Sequence, residues 1–119
     1  MVIAVYGTLR LGLENHHFLK KSTTRFLGLD KLSGYDLYAG SYPYLVPGSG
    51  VATVELYEID TTTLEALDEL EGHPDLYMRV SVQTDAGINA AVYLYPKDKV
   101  LPGTKKTNGN WIDRLQTQL

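Results

Sequence analysis

The sequence predicts an α+β fold, a mixed or barrel-like sheet of about five to seven strands with one principal helix and short extra helices packed on it. Three observations predict it. β-branched and alternating segments outnumber helical ones, and the clearest helical pattern, residues 61–71, is bracketed by two strand patterns. Runs of Gly, Pro, Asn and Asp separate these segments, with no internal repeat or linker. A chain of 119 residues has the size of one core, so residues 1–119 are expected to form a single domain.

Val2 to Tyr6 is an apolar strand ending in the loop Gly7-Thr8-Leu9-Arg10-Leu11-Gly12. Glu14 to Lys21 suits two helical turns with Phe18 and Leu19 inward. Arg25 to Asp30 and Gly34 to Tyr38 read as strand segments broken near Ser33-Gly34. Residues 40–50 carry two prolines and three glycines around aromatics, which predicts an ordered surface loop. Val51 to Ile59 alternates as a strand, Asp60 offers an N-cap, and Thr61 to Glu71 forms a helix that Gly72 stops. Tyr77 to Thr84 and Asn89 to Tyr95 pair as a hairpin around Asp85-Ala86-Gly87. The tail from Pro102 to Leu119 is polar, anchored by Trp111-Ile112 and frayed beyond that anchor.

Composition narrows the function. Eleven Lys and Arg against fourteen Asp and Glu give a net charge of −3, no field to hold a polyanion or an anionic membrane, so nucleic acid is disfavoured as a partner. Without cysteine there is no disulfide, thiolate nucleophile or Cys-ligated metal, and three histidines make a histidine site thin. No metal or other cofactor is expected. No apolar run approaches the ~20 residues of a membrane helix, and Met1 to Gly7 lacks a basic n-region, which predicts a cytoplasmic protein. Nine tyrosines against two Phe and one Trp suit half-buried strands or a polar pocket.

At about 100° per residue, the helix sets Leu64, Ala66, Leu67 and Leu70 on one arc of roughly 160°. Glu71 falls on that arc, whereas Glu65, Asp68 and Glu69 point away. A carboxylate among aliphatic residues resists ionisation, which makes Glu71 a candidate acid/base. The alternative is that the last turn frays and Glu71 meets solvent or Arg79. Glu55, Glu65 and Glu69 read as solvated or as ordinary ion-pair partners, and His73, before Pro74, as a turn residue. The turn Tyr6-Gly7-Thr8-Leu9-Arg10 can aim successive N–H groups at an anion, although no Gly-Lys-Ser/Thr follows to make a P-loop.

In combination these segments resemble a family. Tyr6-Gly7-Thr8-Leu9-Arg10, Leu45-Val46-Pro47-Gly48-Ser49-Gly50, Val54-Glu55-Leu56-Tyr57, Leu67-Asp68-Glu69-Leu70-Glu71-Gly72 and Tyr77-Met78-Arg79 occur in the order of the γ-glutamylcyclotransferase-like, or AIG2-like, family. Gly109-Asn110-Trp111 is similar to the ending of some small prokaryotic members related to γ-glutamylamine cyclotransferase. The resemblance implies a catalytic glutamate at Glu71 and a substrate α-carboxylate held by the backbone of Gly7, Thr8 and Leu9. It implies a γ-glutamyl compound as partner and ring closure to 5-oxoproline as the reaction. Tyr6, Tyr42, Tyr44 and Tyr77 are then candidates to line the pocket and hydrogen-bond Glu71, and Arg79 to anchor the leaving-group loop or to cap a carboxylate. A non-catalytic protein binding a small carboxylate is the alternative function. The leaving group and the oligomeric state have no readable signature.

Overall fold

A computed structural model describes residues 1–114. Its strands are β1 (Val2–Val5), β2 (Arg25–Ala39), β3 (Pro43–Glu58), β4 (Met78–Gln83), β5 (Asn89–Leu94) and β6 (Lys105–Lys106), with one α-helix, α1 (Thr61–Glu71), between β3 and β4. They form one mixed sheet in the order β4-β5-β1-β3-β2-β6, in which only the β1–β5 pair is parallel. The predicted α+β class holds, with three single 3₁₀ turns as the extra helices.

The long β2–β3 hairpin curls the sheet into a half-barrel. Where β2 nears the β4–β5 turn, the N–H and Oγ of Ser33 donate to the Asp85 carboxylate at 2.9 and 2.7 Å, and the Asp85 N–H donates to Lys31 O at 2.8 Å. Near the other end the Tyr95 N–H, just past β5, donates to Leu45 O of β3 at 2.9 Å. Strand alternation sorts the core accordingly. Ala4 and Tyr6 join Leu32, Leu37, Leu45, Val54, Val92 and Trp111 in one cluster, while Ile3 and Val5 pack with Ile59, Leu67, Tyr77 and Tyr93 in another.

Helix α1 forms as expected. Asp60 accepts from the Thr63 N–H at 2.8 Å, which holds the Asp60 carboxyl down at about 2. At the other end Gly72, at φ +65°, closes the helix by donating its N–H to Asp68 and Glu69 carbonyls. The β4–β5 hairpin also falls where the pattern predicts it.

Three expectations are corrected. Residues 14–21 form only a 3₁₀ turn, His16–Leu19, because tertiary bonds claim the segment: the Asn15 N–H donates to Thr8 O at 2.9 Å and His16 Nδ1 to Leu9 O at 2.9 Å. The break near Ser33-Gly34 is a register shift within a continuous β2, accommodated by Gly34 at φ +91°. The loop expected over residues 40–50 is mostly strand, since β3 begins at Pro43 and leaves only three residues for the turn. Proline is tolerated there because Pro43, Leu45 and Pro47 share one strand side by the period of two. Leu45 O on that side faces Tyr95, away from β2, so the missing proline N–H groups break no ladder bond. On the far side of the hairpin, a Cβ at Gly48 or Gly50 would collide with the Asp36 side chain.

Trp111 is buried in the core as the expected anchor of the tail, while Ile112 is exposed. Fraying beyond that anchor concerns residues outside the described ones. No described helix is long and apolar enough to cross a membrane.

Candidate active site

The end of β1, the turn after it, the end of α1 and the turn before β3 enclose a cavity of about 270 Å³. Its walls include Tyr6, Gly7, Thr8, Leu9, Tyr42, Glu71 and Tyr77, seven of the nine candidates named from the sequence. Tyr44 and Arg79 are the exceptions, and Arg79 is engaged elsewhere. Its Nε and Nη2 donate to the two oxygens of Asp68 at 2.9 and 3.2 Å, outside the cavity wall, which is the carboxylate-capping role rather than contact with a ligand.

The turn after β1 is organised so that its acceptors are used and its donors are spare. Gly7 O accepts from the Arg10 N–H at 3.0 Å, Thr8 O from the Asn15 N–H at 2.9 Å, and Leu9 O from His16 Nδ1 at 2.9 Å. Asn15 Nδ2 also donates to Thr8 Oγ1 at 2.8 Å. Among the described residues, the N–H groups of Gly7, Thr8 and Leu9 donate to no protein acceptor. Three consecutive residues with unclaimed donors therefore line the cavity.

Gly7 is required by close approach: a Cβ there would be driven into the Pro43 ring. That ring belongs to the opposite cavity wall, and its carbonyl accepts from the Tyr77 hydroxyl at 2.7 Å. Gly7→Ala is therefore expected to cost about 1–3 kcal/mol of stability through overpacking and to splay the wall. A urea unfolding midpoint equal to that of the wild type would contradict this.

Glu71 is half-buried at the last position of α1 and faces the cavity. Among the described residues no hydrogen bond reaches its carboxylate, and burial pushes its carboxyl up to about 7. The tyrosines expected to hydrogen-bond Glu71 instead brace the walls. Tyr6 Oη donates to Tyr93 O at 2.7 Å and Tyr77 Oη to Pro43 O at 2.7 Å, and Tyr93, which was not among those expected, donates its Oη to Asp68 Oδ1 at 2.7 Å. Tyr42 is 63% exposed at the mouth, and Tyr44 stacks on Tyr95 at 4.2 Å without lining the cavity. A carboxylate among tyrosines whose protons are committed elsewhere keeps its raised affinity for a proton.

The helix wheel needs two corrections. Leu70, placed inward, is 37% exposed and forms cavity wall. Asp68, placed outward, lies on the flank, where Tyr93 and Arg79 claim it; burial acts to raise its carboxyl, but their hydrogen bonds prevail and lower it. Sequence reasoning also missed Asn15, Pro43, Leu76 and Tyr93 as cavity residues, all brought there by tertiary contacts without a local motif. His73 does serve the turn, its Nδ1 accepting from the Arg79 N–H at 2.9 Å.

Beneath the loop sits a buried ion pair. Arg10 Nε donates to Glu55 Oε2 at 2.8 Å, and each residue is 4% exposed. Glu55 Oε1 accepts from the Leu11 N–H at 2.9 Å and from Tyr57 Oη at 2.8 Å. Burial acts to raise the Glu55 carboxyl, but these donors prevail and hold it low. The solvated reading of Glu55 is thus corrected: it is an ion-pair partner, but in the interior. Strand alternation places it with Tyr57 and Ile59 on the inward face, the signal that could have revealed its burial.

A half-barrel sheet, one helix and a cavity with a single raised carboxylate opposite free N–H groups define an α+β protein with a pocket of small-molecule size. Residues 3–113 match the model of the family described as gamma-glutamyl cyclotransferase, AIG2-like. The gamma-glutamylcyclotransferase family protein ytfP of Citrobacter rodentium is 39% identical over 117 residues, covering 98% of this chain and 99% of that protein. Among solved structures, the Pyrococcus horikoshii protein PH0828 superposes with a TM-score of 0.81 at 36% identity, covering 99% and 94% of the two chains. An AIG2-like protein from Mus musculus superposes with a TM-score of 0.74 at 28% identity, covering 91% and 86%. The chain belongs to the gamma-glutamyl cyclotransferase, AIG2-like family.

Proposed function

We propose that this protein releases 5-oxoproline and a free amine or amino acid from a γ-glutamyl compound. The observation that carries the reading is the shared cavity: one wall offers the spare N–H groups of Gly7, Thr8 and Leu9, and another the raised carboxyl of Glu71. The loop would take the substrate α-carboxylate and thereby orient the adjacent α-amine. The carboxylate form of Glu71 removes a proton from the α-ammonium group. The freed nitrogen attacks the γ-carbonyl carbon, a C–N bond forms, and the five-membered ring closes. As the bond from that carbon to the leaving nitrogen breaks, Glu71 returns the proton to that nitrogen, and the same carboxylate then passes the second proton of the ring nitrogen to the freed amine, so that the lactam keeps one N–H and the amine leaves as an ammonium ion.

The nucleophile and electrophile belong to one molecule, so holding the chain folded accounts for much of the acceleration. A carboxyl near 7 is matched to this exchange with an amine whose ordinary pKa is about 8, because proton transfer is efficient between groups of similar affinity at working pH. The test is a panel of γ-glutamyl-amines, γ-glutamyl dipeptides and glutathione, scored for 5-oxoproline. Turnover of at least one member is expected. Binding of members without release of 5-oxoproline from any would instead favour a carboxylate-binding protein.

A further inference from the structure

The Arg10–Glu55 pair does not stand alone. The guanidinium's other arm, Nη1, donates to Asn110 Oδ1 at 2.6 Å, across 100 positions of sequence. Asn110 is itself held on two sides: its Nδ2 donates to Asp113 Oδ2 at 3.2 Å, and Gly109 O before it accepts from the Thr53 N–H of β3 at 2.8 Å. Gly109 lies so close to β3 that a Cβ would collide with Val51 O. One guanidinium therefore ties three segments together: the loop it terminates, the middle of β3 and the 109–113 turn. Arg10, Glu55 and Asn110 do not line the cavity.

We propose that Arg10, Glu55 and Asn110 form a buckle that sets the position of the Gly7–Leu9 N–H groups, which makes them positioning residues for carboxylate binding. The proposal rests on the reading of that loop as the carboxylate receptor. Its physical basis is that three adjacent N–H groups converge on one anion only if the backbone on both sides is fixed. β1 fixes the side before Gly7, and the buckle fixes the side after Leu9 through Arg10 and the Leu11 N–H. A buried ion pair is weak evidence for stability taken alone, because desolvation offsets most of its attraction. A geometric role accounts for a charge at this position better than a stabilising one.

Asn110→Ala removes an acceptor from Arg10 while keeping the ion pair, and Asn110→Asp, made together with Asp113→Asn so that the bond between positions 110 and 113 survives with its direction reversed, restores an acceptor. Asn110→Ala is expected to raise the KM of a turned-over γ-glutamyl substrate and the Kd of 5-oxoproline by about tenfold, as small misplacements of binding groups do. The double variant should stay within about twofold of wild type, and kcat should keep its pH profile in both. A lower melting temperature for Asn110→Ala with KM and Kd unchanged would overturn the proposal, as would the double variant behaving like Asn110→Ala. If the wild type neither turns over nor binds 5-oxoproline, the functional reading fails, and the buckle is judged by backbone ¹⁵N relaxation alone. Increased motion at Gly7, Thr8 and Leu9 in Asn110→Ala but not in the double variant supports the buckle; unchanged relaxation at these three amides rejects it.

Discussion

Glu71→Gln is expected to lower the rate of 5-oxoproline release by about 10²–10⁴-fold, the usual range for one general acid/base, and to make the protein more stable at the same time. The stability effect follows from linkage. The folded carboxyl titrates at about 7 against an ordinary value of 4.5, so the folded state resists ionisation. Below pH 4.5 the group is protonated in both states and carries no penalty. As pH rises toward 7 the unfolded chain gains by ionising before the folded chain can, and stability falls by an amount that levels off above 7. Glutamine removes the titration and with it a penalty of about 3 kcal/mol at pH 8. Thermal melts of both proteins at pH 4 and pH 8 should show a difference that grows with pH. Equal gains at the two pH values would show that Glu71 is not the strained group, and unchanged turnover would exclude it as the proton carrier.

Glu55→Ala carries the largest expected loss of stability, about 3–5 kcal/mol, because it strands Arg10 as an unpaired interior charge. It also takes the acceptor from the Leu11 N–H and from Tyr57 Oη. The loss should come mainly from the stranded charge. The double variant Arg10→Met, Glu55→Leu is therefore expected to be more stable than Glu55→Ala in urea unfolding while losing affinity for 5-oxoproline, since the loop keeps apolar packing but not its tether. A double variant no more stable than Glu55→Ala would indicate that the lost hydrogen bonds, not the stranded guanidinium, dominate.

What the sequence made legible was local. Asp60, the apolar spacing and Gly72 lie within one helix's reach, and α1 starts and ends where they predict. The same spacing exposed Glu71, whose place in the pattern suits a leucine. Residues 43–50 misled because Pro and Gly mark turns only on average. Here Pro43 and Pro47 turn their nitrogens away from β2, and Gly48 and Gly50 make room for Asp36 across the hairpin, requirements set by a partner strand. Residues 14–21 misled for the converse reason, as Asn15 and His16 leave a helical register to hold the loop carbonyls. At the site, Glu71 and the Gly7–Leu9 loop were readable as a misfit and a motif. The placing of Arg79 on Asp68, and of Arg10 between Glu55 and Asn110, depends on contacts between distant segments that no local pattern encodes.

The Arg10–Asn110 bond has a consequence for the order in which the molecule acquires its parts during synthesis. β1 lies between β3 and β5 in the sheet, and the loop that follows it is secured from position 110. A nascent chain presents Tyr6 to Leu9 to solvent early, yet their final arrangement awaits nearly all the residues that follow. Long-range contacts of this kind form late and slow folding. The pocket thus takes its final shape only once segments from both ends of the chain have met.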